Sequence, residues 1–143
     1  FILGLFETAL GPGEIVAAVS FPSPDANSTS AYAKFENPAS GYAICGVAAM
    51  IELADDGTIA SAHIAVNGAL DHAQRLSAVE EALAGAGADD AEAVDSAAAR
   101  AADGFSEWEF MSDIHADAEY RAHLMRVMTG RAVRKALARA GES

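Results

Sequence analysis

The hydrophobic pattern of this chain changes period once, and that change fixes the order of its elements. Up to Val66 the apolar residues come in short runs bounded by turn residues; beyond Asp71 they recur at helical spacing. Strands first and helices after, within 143 residues, predict an α+β fold: a small antiparallel β-sheet of three to four strands followed by a three-helix layer packed on one face. A chain of this length is expected to form one domain spanning residues 1–143 and to bury roughly 68–70% of its unfolded surface.

In the first half, Gly11-Pro12-Gly13 precedes an apolar stretch from Glu14 to Phe21 (EIVAAVSF), expected as a strand. Phe1 to Leu10 suits a strand or a helical turn equally. Pro22 to Ser30 has no period and reads as a surface loop, and Ala31 to Phe35 forms the second strand. From Tyr42 to Leu53 a short helical turn near Tyr42–Ile44 is expected to lead into a strand. Asp56-Gly57 then supplies the positive φ of a tight hairpin. Thr58 to Val66 returns as a strand, with Ile59, Ser61, His63 and Ala65 on one face and Ala60, Ala62, Ile64 and Val66 on the other.

In the second half, Leu76, Val79 and Leu83 mark a first helix stopped by Gly85 and Gly87. Asp89 and Asp90 open a second, with Val94, Ala97, Ala98 and Ala101 inward and Gly104 at its end. Phe105 to Phe110 (FSEWEF) is an aromatic loop able to plug one end of a core. Asp117 caps a long third helix, Ala118 to about Ala140, whose stripe is Tyr120, Leu124, Val127 and Met128. Past Gly130 the large apolar residues are Val133 and Leu137, displaced around the helix, so it is expected either to kink there or to change partner. Six of the nine basic residues lie on this helix, namely Arg121, Arg126, Arg131, Arg134, Lys135 and Arg139. That excess suits an intramolecular or intersubunit charge match.

Composition narrows function by exclusion. Much of the 52% hydrophobic content is alanine, so large core candidates are few: Ile15, Phe21, Tyr32, Phe35, Ile51, Ile59, Ile64, Leu76, Leu83, Trp108, Leu124 and Leu137. A net charge of −12 repels phosphate backbones and anionic lipids, which argues against nucleic acid and membrane surfaces as partners. No apolar run reaches the length of a membrane span or has a signal-peptide layout. The single cysteine, Cys45, fits a reducing, cytoplasmic compartment. A chain opening on Phe1 inside an apolar run is expected to be a fragment or a processed product.

Most groups that could carry chemistry have plainer explanations. His63, His72, His115 and His123 match no metal-ligand spacing. Cys45 has no basic sequence neighbour to activate it and reads as a buried structural thiol. Ser112-Asp113-Ile114-His115 is a capping loop rather than a triad, and the acids near Asp89–Asp95 lack calcium-loop spacing. Gly11-Pro12-Gly13 is too short to cradle phosphate. Lys34 stands apart, a lone cation in an aromatic-flanked strand beside a Pro-Ser-Gly turn, where it could be aimed at an electron-rich partner.

Four segments in order, FETALGPGEIVAAVSFP, AYAKFENPASGYAICG (Ala31 to Gly46), the Asp-Gly hairpin followed by IAVNGA, and SDIHADAEYRAHLMRVMTGRAV, resemble the carboxy-terminal domain of the flavoprotein (medium) subunit of molybdenum hydroxylases, the carbon monoxide dehydrogenase and xanthine dehydrogenase family. The resemblance implies a small antiparallel sheet covered by three helices, which agrees with the pattern above. It also implies that this domain closes over FAD held mainly by a preceding FAD-binding domain, absent from this sequence. Two contacts are implied: Val16, third in Glu14-Ile15-Val16, against the isoalloxazine, and Lys34, in the Tyr-x-Lys strand, at a flavin carbonyl. A cation there stabilises the reduced, anionic ring and raises its potential. Implied partners are the amino-terminal FAD-binding domain, a molybdenum-bearing large subunit and a 2Fe-2S small subunit. No catalytic or metal-ligating residue falls to this chain, which alone is expected to be inactive and to hold no FAD tightly. Its loop Glu36-Asn37-Pro38-Ala39-Ser40-Gly41-Tyr42 lacks the Gly-Asp and basic residues of many relatives, so the electron acceptor, NAD, quinone, oxygen or another carrier, stays open. The alternative is an assembly module with no cofactor contact.

Overall fold

A computed structural model describes residues 1–141. A short hairpin, β1 (Ile2–Gly4) and β2 (Glu7–Thr8), opens the chain. The main sheet comprises β3 (Ser28–Glu36), β4 (Ala43–Leu53), β5 (Ile59–Asn67) and β6 (Gln74–Arg75), antiparallel throughout and in sequence order. Helices α1 (Ser77–Leu83), α2 (Ala91–Ala99) and α3 (Ala118–Ala140) follow, so the α+β class and the order of layers are as the periodicity predicts.

The core lies between one face of this sheet and the helices. Strand β4 buries Cys45, Val47, Ala49 and Ile51 while Ala48 and Met50 face out. β5 adds Ile59, Ala62, Ile64 and Val66 to the same core. Ile59 thus sits with the residues expected on the opposite face. The pairing Glu52↔Ser61 is followed by Leu53↔Ile59, and this slip leaves Ala60 extra, rotating Ile59 inward. Each large aliphatic side chain so buried contributes about 1.5–3 kcal/mol.

α3 runs unbroken through Gly130. Leu124, Met128, Ala132 and Ala136, spaced by four, form one buried row, continued by small residues where the large ones stop. A Cβ on Gly130 would lie 3.5 Å from Ala98 Cβ of α2, and Leu137 borders the same groove as Val94. The helix changes partner without a kink, serving the sheet on one side and α2 on the other. The caps are as expected: Asp117 Oδ1 accepts from Tyr120 N at 2.8 Å and Asp90 Oδ1 from Ala93 N at 2.9 Å. In the aromatic loop, Phe110 is buried edge-to-face on Phe105, with centroids 6.3 Å apart.

Three expectations fail. Glu14–Phe21 is not a strand, and no backbone hydrogen bond ties residues 15–24 to the rest of the described chain. An apolar stretch cannot hold a ladder when no strand offers it partners. Ile15, Phe21 and Trp108, expected in the core, are 83%, 84% and 83% exposed, and Tyr32 and Phe35 are also exposed. No helical turn forms at Tyr42–Ile44. Residues 37–41 make the turn instead: Gly41 N donates to Asn37 O at 2.8 Å, Asn37 N to Tyr42 O at 2.8 Å, and Asn37 Oδ1 accepts from Ala39 N at 2.9 Å. Gly41 adopts φ 71°, a conformation its lack of Cβ permits.

Candidate functional site

The face of the sheet away from the helices carries the candidate site. Strand alternation places Ser30, Tyr32 and Lys34 of β3 there, opposite Met50, Ala48 and Gly46 of β4, which in turn face His63, Ala65 and Asn67 of β5. One row across the sheet is therefore Lys34, Gly46, Asn67. Tyr32 Oη donates to Asn67 Oδ1 at 3.1 Å, reaching across β4 where Gly46 stands. A Cβ at Gly46 would come 2.0 Å from Tyr32 Oη and 2.5 Å from Asn67 Oδ1, so any side chain there expels the phenol. An aromatic laid over a strand glycine is a packing device that replaces the missing side chain.

Lys34 Nζ donates to Gly41 O at 2.7 Å and pairs with Glu36 Oε2 at 3.0 Å. Its side chain is 38% exposed, and two of its three N–H donors are accounted for by these acceptors. The ammonium is thus oriented by the 37–41 turn, with one donor left for a ligand. Val16 is exposed within the irregular segment, and no hydrogen bond links that segment to the strand bearing Lys34.

Beneath this row lies a buried arginine that sequence reasoning counted only as one of the third helix's basic residues. Arg121 is 3% exposed. Its Nη1 donates to Ile44 O and to Gly68 O, both at 2.7 Å, Nη2 to Asp113 Oδ2 at 2.6 Å and Nε to Ala116 O at 3.3 Å. It thereby ties the start of β4 to the turn ending β5, on either side of Gly46 and Asn67. Gly68 closes that turn at φ 78°, where a Cβ would meet Ala43 O at 2.5 Å. Asp113 also accepts from the amides of His115 and Ala116 at 2.9 and 3.0 Å. The amide of His115 opposes its desolvation first, then that of Ala116 and the Arg121 charge, and together they hold its carboxyl below the ordinary range. Burial pushes the neighbouring Cys45 thiol up to about 12 despite the Arg121 charge, which leaves it an unreactive thiol.

The remaining polar groups are scattered, and the buried Thr129 Oγ1 has no hydrogen-bond partner among the described residues. His72 pairs with Asp71 at 2.6 Å, His63 Nδ1 lies 2.7 Å from Arg75, and His123 stacks on Tyr120. Among the described residues no group of three or more His, Cys, Asp or Glu side chains gathers as a metal site would, and no helix is long and apolar enough to cross a membrane. The N-termini of α2 and α3 are closed by Asp90 and Asp117 with Glu92 and Glu119 in the first turns, a poor setting for phosphate.

The helix-backed antiparallel sheet is that of a flavoprotein-subunit domain: the chain belongs to the CO dehydrogenase flavoprotein C-terminal domain family, matched over residues 30–136, the family of molybdenum hydroxylase medium subunits. Among curated relatives, the nicotine 6-hydroxylase medium subunit of Paenarthrobacter nicotinovorans is 32% identical over 139 residues, which cover 96% of this chain and 46% of the relative. The 6-hydroxypseudooxynicotine dehydrogenase complex subunit alpha of the same organism is 30% identical over 135 residues, 94% of this chain and 44% of the relative. Carbon monoxide dehydrogenase of Hydrogenophaga pseudoflava superposes with a TM-score of 0.84 at 29% identity, covering 96% of this chain and 46% of that one. The chain spans a little under half the length of the curated relatives it matches.

Proposed function

We propose that this chain is the part of a molybdenum hydroxylase flavoprotein subunit that closes over FAD, most of which a preceding domain holds. The observation that carries the reading is Lys34, half-exposed on the helix-free face and aimed by Gly41 O and Glu36. FAD, when bound, supplies the electron-carrying ring. Lys34 would donate to a ring carbonyl and favour negative charge there, and Val16 would pack against the ring. The aspartate-closed helix ends support a pyrophosphate site elsewhere. The exposed apolar stretch from Ile15 to Phe21 supports an adjoining domain that covers it.

In this proposal the subunit passes electrons from the iron–sulfur clusters of a small subunit, reduced by a molybdenum-bearing large subunit, to an external acceptor. The chain adds flavin contacts and docking surface rather than catalytic groups. The test is Lys34→Met in the full-length subunit. One charge-assisted hydrogen bond at a partly exposed site corresponds to about tenfold in FAD affinity, with a fall in flavin potential. FAD content, absorption spectrum and potential all unchanged would overturn the role of Lys34 and leave assembly as the domain's task.

A further inference from the structure

The outer edge of β3 is closed along one part and open along the next. Ser30 O and Tyr32 O accept hydrogen bonds from Arg139 and Lys135 of α3, so the backbone groups of Ser30, Tyr32 and, by alternation, Lys34 point away from β4. At the Ser30 end the cover is firm, because Thr29 Oγ1 also donates to Ala136 O at 2.8 Å. At Tyr32 it is a single 3.3 Å contact from the long side chain of Lys135. From there to Glu36 a groove of about 660 Å³ runs beside the strand, with Phe35 and Met128 as apolar lining and Arg131 and Lys135 on the helix side.

The charge of this groove opposes that of the molecule. In a chain of net charge −12, Lys34, Arg131 and Lys135 meet here against one carboxylate, Glu36, which Lys34 already engages. Arg134 on the neighbouring ridge pairs with Asp95 and Arg126 donates to Ala99 O, whereas Arg131 makes no ion pair among the described residues. Lys135 spends its ammonium on a neutral carbonyl. Both are side chains that a carboxylate would engage more strongly.

We infer that the Tyr32–Glu36 edge of β3, with Arg131 and Lys135 alongside, is a strand-addition site for an extended, acidic segment of another subunit of the complex. The inference rests on the proposed role of the chain within a multi-subunit enzyme. The incoming backbone takes the outward N–H and C=O of both Tyr32 and Lys34, replacing Lys135 at the Tyr32 carbonyl. Lys135, released, and Arg131 then pair with carboxylates of the segment. Apolar side chains on that same helix-facing side of the added strand rest on Phe35 beside Met128, two residues along from the carboxylates. An acidic segment is repelled by the remaining surface, so charge selects this edge as well as strengthening it.

The test compares amide hydrogen exchange in the full-length, FAD-loaded subunit, free and assembled with its large and iron–sulfur subunits, at equal FAD content. Assembly should slow the amides of Tyr32 and Lys34 while those of Ala31 and Ala33, which point into the β3–β4 ladder, change little. Arg131→Glu with Lys135→Glu should weaken assembly by about tenfold or more, with FAD content and far-ultraviolet ellipticity retained. Unchanged exchange at Tyr32 and Lys34 on assembly would overturn the inference. So would protection already present in the free subunit, which would assign the edge to its own chain, or protection that grows with concentration of the free subunit, which would assign it to a second copy. Assembly undiminished in the double variant, or lost together with FAD, would overturn it too. Failure of Lys34→Met to alter the flavin, with the exchange difference intact, would remove only the flavin reading.

Discussion

Arg121 shows how one side chain can set the geometry of a site it does not enter. Its guanidinium satisfies carbonyls of β4 and of the turn after β5, residues 77 and 53 positions away in sequence. Removing it leaves those carbonyls without a partner and Asp113 without its charge. Arg121→Met is therefore expected to destabilise the domain by about 3–5 kcal/mol, read from urea unfolding, and Arg121→Lys to recover only part, since an ammonium cannot reproduce the fork. Sequence pattern counted this residue among the basic ones of the third helix because a charge on an amphipathic helix ordinarily meets water. Nothing local marks its distant acceptors. Gly46 and Asn67 carry no local mark of their shared contact with Tyr32 for the same reason. Their joint meaning appears only when β3, β4 and β5 lie side by side, although a glycine inside an apolar strand, paired with a nearby tyrosine, was a usable hint. The placement of Lys34, by contrast, follows from local sequence: it stands on a strand beside a turn whose Gly41 carbonyl accepts its hydrogen bond.

At the scale of elements, what was legible depended on whether the signal was local. The span of α3 and its Asp117 cap, the start of α2 at Asp90 and the Asp56-Gly57 hairpin all follow from residues within a few positions of one another. The inward turn of Ile59 does not, because it depends on a bulge that pairing alone creates. Nor does the fate of Glu14–Phe21, since a strand needs a partner and local composition does not say whether one exists. The junction of α1 with the sheet gives a further prediction. Glu80 accepts from Ile64 N at 2.7 Å and pairs with Arg75 at 2.6 Å. Burial works against its ionisation, but the Arg75 and Ile64 hydrogen bonds, with the Arg75 and His63 charges, outweigh it and hold the carboxyl below its ordinary 4.5. The unfolded chain then takes up this proton at a higher pH than the folded one. Stability from Glu80 is present at neutral pH and is lost as pH falls from the ordinary glutamate range through the lower folded value. Glu80→Gln should cost about 1.5–3 kcal/mol at pH 7 and flatten the acid limb of a stability–pH curve measured by urea unfolding.

For the molecule as a whole, the apolar surface is divided unevenly. The helix side of the sheet is filled, while Phe1, Ile2, Leu3, Leu5, Ile15, Val19 and Phe21 stand exposed together near the start of the chain. Scattered single apolar residues are ordinary on a protein surface, but so many large ones exposed within the first 21 residues favour a contact there. The chain taken alone is expected to self-associate through this stretch, with sedimentation showing species larger than a monomer. If the proposed adjoining FAD-binding domain covers the stretch, a chain that carries both should not associate in this way. The opposite result, a chain that stays monomeric at high concentration, would mean the stretch is covered by the domain itself.

Trp108 is the chain's single tryptophan and stands 83% exposed in the native fold. Its emission already reports water before any unfolding begins, so a denaturation curve followed by fluorescence will run nearly flat where ellipticity records a full transition. The same indole can report docking: on mixing with a partner that has no tryptophan of its own, a blue shift is the expected sign that the partner rests against the Glu107–Glu109 turn.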